Sequence, residues 1–358
     1  MKFYSGSAGR GSPGLFHLQP LDERVTFLDT MQRALPFIIV IGLLAALAAG
    51  GSRAQNAKAS IDKKDCRQLV EAIGYPSGPE QGKTFVCHTG FALLHNDANK
   101  TSEWVVERLK GAELTGRFER PQIGFEPELA VQPEGARAVD ADYKGTKKHP
   151  SKFDRGHLAP SEDFNNSCEL MKETFVLSNV VPQIGAKFNR TIWARLEAEV
   201  RGIAKERGDV YVITGPVPRK AGGVRTIKKA DNDCNNEIRL DGSPQKAICE
   251  AKNKNPKKNC VNGVVVPIAL YKIIYDPQQQ IAYAYVLPNR DHPNKSGATA
   301  LSYFDGFRTT VAILQNETGL KFFDDLPDDV RKKVVDNCTK DRPWANPDKS
   351  PPKGSVCQ

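Results

Sequence analysis

The sequence predicts an α+β fold: a central, mostly antiparallel sheet flanked by helices and by long disulfide-stapled loops. Two observations set the secondary structure. Strand-like apolar runs come in adjacent pairs separated by short turns, at 84–96 with 102–109 and at 263–276 with 280–289, as hairpins do. The clearest helical periodicity falls between those pairs instead of alternating with each strand, which disfavours a doubly wound parallel sheet. A third observation sets the loops. The chain has 358 residues and eight cysteines, and its longest polar stretch, 219–262, carries three of them.

In chain order, residues 36–50 (PFIIVIGLLAALAAG) are the one long apolar run, preceded by Arg33 and followed by Ser52 and Ala54. A short basic flank, an apolar stretch and small residues make a signal peptide, and the run is shorter than the ~20 residues of a membrane span. Residues 1–54 are therefore read as an N-terminal extension and signal peptide, with translation expected from Met31 and cleavage after Ala54. The protein is then secreted or periplasmic, with no stable membrane partner unless 36–50 is retained as an anchor. A polar lead-in (55–80), one domain (81–330) and a Cys-containing tail (331–358) follow.

Within the domain, 84–96 and 102–109 form strands joined at a turn over 97–100. Residues 115–152, rich in charge, Pro and Gly, read as a surface excursion, and 173–183 as a short apolar run ending in a loop. Residues 189–205 are a helix, because Ile192, Trp193, Leu196, Val200 and Ile203 recur at three- and four-residue steps. Residues 210–217 are a buried strand, 263–276 and 280–289 two more, and 300–316 a further helix. Cysteines in an exported chain pair; near neighbours suggest Cys66 with Cys87 and Cys338 with Cys357, leaving Cys168 for a partner among Cys234, Cys249 and Cys260. No CxxC spacing occurs, which disfavours a zinc ribbon.

The net charge is +9, of which the first 54 residues hold five basic and three acidic side chains, leaving +7 for the remainder. A basic surface concentrates polyanions. Lys144, Lys147, Lys148 and Lys152, with Lys187 and Arg190 beyond, could form a phosphate track; an ordinary solvated surface is the alternative.

The chemistry concentrates in FDRGHLAPSEDF (153–164), where acid, base, glycine and histidine stand together in a polar loop. A neutral imidazole at His157 can take a proton from water, although a lone histidine is more often structural. SNVVPQIGAKFNRTIWARLEAEV (178–200) supplies Asn179, Asn189 and Glu197. Asn189 at the helix start, Trp193 and Glu197 share one side at four-residue steps. An amide oxygen backed by a carboxylate suits Mg2+, which retains waters and takes few protein ligands. The competing interpretation makes Asn189 a helix cap and Glu197 a solvated residue. Trp193, on the apolar face, reads as core.

The DRGH run, the SN…PQ…N…W..LE pattern, the strands VVVPIALYKIIYD and AYVLPN, and TGLKFFDDL (318–326) together resemble the DNA/RNA non-specific endonucleases, the ββα-metal nucleases, over about residues 85–325. The resemblance implies a ββα-metal fold and hydrolysis of DNA and RNA to 5′-phosphate ends. It implies His157 as general base, Asn189 as direct ligand of Mg2+ (or Mn2+), Glu197 as an outer-shell carboxylate and Asn179 as a support of site geometry. Arg155 would meet a phosphate oxygen and Asp154 orient its loop. An upstream arginine that stabilises the transition state maps to Arg120 first and Arg117 second. Relatives also allow a homodimer. The chain departs from the pattern in one place: the Asn179-to-Asn189 gap is about one residue longer, which puts the difference around Gly185. The alternatives are a nucleic-acid-binding protein of this fold with little turnover, and a phosphodiesterase for small esters; plasmid against a small chromogenic diester separates them.

Overall fold

The computed structural model describes residues 63–143, 152–217, 225–228, 237–240, 263–295, 297–337 and 355–356. The expected signal peptide, the Met31 start, the Cys338–Cys357 pair and Lys144, Lys147 and Lys148 lie outside these residues. No helix among the described residues is long and apolar enough to cross a membrane.

The strands in chain order are β1 (Lys83–Cys87), β2 (Phe91–Asn96), β3 (Thr101–Leu109), β4 (Phe118–Glu119), β5 (Phe153–His157), β6 (Val180–Ile184), β7 (Val210–Val217), β8 (Arg225–Lys228), β9 (Glu237–Leu240), β10 (Ala269–Asp276), β11 (Ile281–Pro288), β12 (Arg308–Thr309) and β13 (Ser355–Val356). The helices are α1 (Cys168–Glu173), α2 (Ala194–Arg207), α3 (Gly297–Asp305), α4 (Val311–Thr318) and α5 (Asp328–Val335). Seven strands make the central sheet in the order β1-β2-β3-β7-β10-β11-β12, every pairing antiparallel. The expected α+β class is what the structure has.

Alternation along the strands gives the sheet two buried faces. Val105, Leu109, Val212, Leu270 and Ile274 face Trp193, Leu196, Val200 and Ile203 of the helical layer. Trp104, Val106, Ile213, Tyr271 and Ile273 face the other way, onto Leu320, Phe322, Phe323 and Val330. The first turn-like segment, Lys63–Leu69, adds Cys66 and Leu69 to that second face, and Cys66 is bonded to Cys87, as expected from their spacing. Cys168 is also disulfide-bonded, to a partner outside the described residues.

The structure corrects several boundaries. Residues 84–96 are two strands, because the chain turns at His88–Gly90 and β1 folds back on β2. Residues 300–316 hold two helices with β12 between them. The described part of the excursion, 115–143, is pinned by buried Val131, Ala138 and Tyr143. The DRGH segment is not a loop: it is β5, paired antiparallel with β6 in the register Asp154↔Gln183, Gly156↔Val181 and His157↔Val180.

The largest correction concerns the helix. It starts at Gly185, not Asn189, and runs to Trp193 as a π-helix before continuing as α2. Both ends of this segment are fixed. Ile184 N–H donates to the buried Asn289 Oδ1 (2.9 Å), and Trp193 and Leu196 are locked in the core. Between these fixed ends the chain takes the wider π winding. β5, β6 and this helix together form the ββα unit.

Candidate active site

The pairing of β5 with β6 explains why DRGH needs its glycine. A Cβ on Gly156 would lie 2.1 Å from the Gln183 side chain, whose Nε2 donates to the His157 carbonyl (3.4 Å). Asn179 secures the other side of the histidine. Its Oδ1 accepts from Ala159 N–H (2.9 Å) and its Nδ2 donates to the carbonyls of Ala159 (2.9 Å) and Thr174 (3.0 Å), while its own carbonyl accepts from Leu158 N–H (2.9 Å). With both side-chain polar atoms and the carbonyl of Asn179 engaged, bracing 158–159 against Thr174, its place is that of a brace.

His157 is buried between the rings of Phe125 (centroids 5.1 Å apart) and Phe175 (5.2 Å). Burial first, and the Arg120 charge second, push its pKa down to about 3, so the ring is neutral near pH 7. Its Nε2 has no hydrogen-bond partner among the described residues. A buried, neutral, unpartnered imidazole nitrogen costs stability and is retained where it has work to do.

Arg120 stands over Phe175, 4.7 Å from the ring centroid, with Nη1 3.5 Å from Ser161 Oγ. It is within electrostatic reach of both His157 and Glu197. Arg117 instead stacks on Phe118 and has no such link. Arg155 lies on the His157 side of β5, against Phe125 and Tyr143 and ion-paired with Asp140, so that a phosphate would have to compete with Asp140 for it.

Asn189 lies inside the π-helix, not at the start of a helix, which removes the capping role. Its Nδ2 donates to Asp154 Oδ2 (3.2 Å), and Asp154 also accepts from two nitrogens of Arg190, Nε at 2.7 Å and Nη2 at 3.0 Å. Gly185 makes room for that pair, since a Cβ there would come within 2.9 Å of both Arg190 and Asp154. Asp154 thus aligns Asn189 and does more than shape its own strand. With the amide NH2 committed, the Asn189 oxygen is the group left to a cation. No cluster of three His, Cys, Asp or Glu that could hold a metal occurs among the described residues, so a cation here would lean on one amide oxygen and water, as Mg2+ tolerates. The residues fit the ion.

Glu197 is partly covered, one turn beyond Trp193; burial pushes its pKa up to about 7, opposed by Lys272 and Arg201 and helped by Asp163. It is not the solvated residue of the competing interpretation. Trp193 is fully buried against Phe188 (centroids 5.6 Å apart), as expected of a core residue. Of the expected phosphate track, Lys187 is paired with Asp291 (3.0 Å) and Arg190 with Asp154.

The structure therefore gathers His157, Arg120 and Glu197 electrostatically and ties Asn189 to β5 through Asp154. Residues 70–329 match the DNA/RNA non-specific endonuclease family. The chain belongs to that family. It is 32% identical over 264 residues to nuclease C1 of Cunninghamella echinulata var. echinulata, covering 72% of this chain and 89% of that one. It is 30% identical over 274 residues to the mitochondrial nuclease EXOG of Danio rerio, covering 75% and 68%. Its fold matches that of a chain in the crystal structure of the EndoG/EndoGI complex, with a TM-score of 0.54 and 25% identity over 75% of this chain and 94% of that chain. The ββα-metal architecture expected from the motifs is thus the observed one, and membership makes the chain a nuclease, a hydrolase acting on nucleic acids.

Sequence reasoning missed Gln183, Asn289, Ser161 and the Phe125–Phe175 cage. Gln183 and Asn289 stood in quoted motifs (PQ and LPN), so their presence was visible and only their role as clamps was not.

Proposed function

We propose that this nuclease is a divalent-cation-dependent, sequence-non-specific endonuclease that hydrolyses phosphodiester bonds of both DNA and RNA and leaves 5′-phosphate ends. The observation that carries this is the buried, neutral His157, held beside Arg120 with an unpartnered ring nitrogen. The imidazole takes the proton from the attacking water, a task that needs a base neutral at working pH. Arg120 places its guanidinium where negative charge grows on the phosphoryl oxygens. Asn189 would hold the ion, Mg2+ or Mn2+, through its side-chain oxygen, with Asp154 fixing the amide and Glu197 backing the same side of the helix. When bound, such an ion neutralises charge on a phosphate oxygen and on the leaving oxygen. Asn179 and Gln183 keep the histidine in place. Groups that address phosphates carry no base information, which supports action on either nucleic acid.

We further propose that the protein works outside the cytoplasm. The apolar run at 36–50 with its small-residue flank and the Cys66–Cys87 bond support export to an oxidising compartment.

Cleavage of supercoiled plasmid and of RNA with Mg2+, Mn2+ or EDTA, with the product ends mapped, tests the proposal. Chelator-sensitive cleavage of both substrates to 5′-phosphates is the expected result. Full activity in EDTA would remove the metal, and binding without cleavage under any ion would leave a nucleic-acid-binding protein.

A further inference from the structure

The proposed chemistry leaves one costly feature unused. Lys272, in the middle of β10, is 1% exposed, between the apolar residues Leu270 and Ile274 on the same face of the sheet. An ammonium in such a place costs several kcal/mol relative to water, and Met would fill the same space without that cost. Its register neighbours are Thr214 on β7 and Tyr285 on β11. Nζ donates to Thr214 Oγ1 (2.6 Å) and stands 5.4 Å from the centroid of Trp193. Trp193 is the last residue of the π-helix that carries Asn189, and Glu197 follows one turn later.

Two carboxyls could be the reason for the charge. Glu197 feels Lys272 as its strongest neighbouring charge. Glu107 on β3, also 1% exposed, has Oε2 without a partner among the described residues. Burial first, and the Asp163 charge second, hold Glu107 well above the usual carboxylate range, with Lys272 opposing the shift. Asp163 is already served by Arg201 at 2.7 Å.

We propose that Lys272 is a positioning residue for nucleic-acid cleavage: anchored by Thr214, it holds Trp193 from beneath and so fixes the helical face that presents Asn189. This rests on the function proposed above. It differs from a purely structural role, in which Lys272 merely balances Glu107.

Four proteins separate these roles: wild type, Lys272→Met, Thr214→Val, and Lys272→Met combined with Glu107→Gln. Each is checked for folding by circular dichroism and assayed for kcat and KM on plasmid across a Mg2+ titration. Lys272→Met is expected to fold and to lose about tenfold or more in kcat, the usual loss for a residue behind a metal ligand. KM for DNA should stay near wild type while the half-saturating Mg2+ concentration rises. The double variant should be no better than Lys272→Met. Thr214→Val, which keeps size and removes only the anchor, should show a smaller loss of the same pattern, and it carries the test if Lys272→Met does not fold. Wild-type kcat in Lys272→Met or Thr214→Val, or recovery in the double variant, overturns the inference while leaving the proposed function intact. An inactive wild type overturns both.

Discussion

The two faces of the central sheet use alternate residues of the same strands for different ends. One face sets Trp104, Ile213, Tyr271 and Ile273 against Leu320, Phe322 and Phe323, and the Cys66–Cys87 bond closes its margin. Among the described residues it carries no buried lysine. The other face has an equally apolar frame, interrupted at its centre by Glu107, Thr214 and Lys272, the last beneath Trp193. Burying such groups sacrifices stability, so the first face supplies the stability that the second spends at the helix carrying Asn189. Substitutions on the first face should therefore change stability and spare chemistry, and those on the second should do the reverse.

The largest break in that contrast is expected at Asn189. Asn189→Ala should lower cleavage by about 100- to 1000-fold, in line with the several kcal/mol a catalytic metal contributes, with little change in Tm; an equal loss of Tm would put Asn189 among the fold-determining residues. On the opposite face, Phe322→Ala should cost about 3–5 kcal/mol in urea unfolding and leave kcat unchanged wherever the protein is folded. The paired replacement Cys66→Ser with Cys87→Ser opens a 21-residue loop and should cost about 3 kcal/mol, again without a change in kcat.

The smallest effect is a pH slope. Because the His157 pKa in the fold is about 3, against about 6.5 in an unfolded chain, acidification lets the unfolded state take up a proton that the folded state refuses. The contribution is complete above pH 6.5 and is lost as pH falls toward 3. Urea stability measured between pH 7 and 4 should fall less steeply for His157→Ala than for wild type. Parallel slopes would show that the histidine is not held neutral.

What was legible in the sequence follows from range. The β2–β3 and β10–β11 hairpins, the apolar stripe of α2 and the Cys66–Cys87 pair depend on residues near one another, and periodicity or spacing revealed them. The π-helix was not legible, because over nine residues its period differs too little from that of an α-helix. The strand character of DRGH depends on Gln183 and Val180 across a long insertion. Lys272 was a visible charge in an apolar run, yet its meaning depends on Thr214 and Trp193 from two other elements.

The central claim is that His157 is the base. The most direct measurement compares the maximal rate of plasmid and RNA cleavage by wild type and His157→Ala at saturating Mg2+, with both proteins shown to be folded. The account predicts a loss of about 100- to 10,000-fold, the range for a general base, on both substrates with little change in KM. A His157→Ala protein that cleaves at close to the wild-type rate would contradict it.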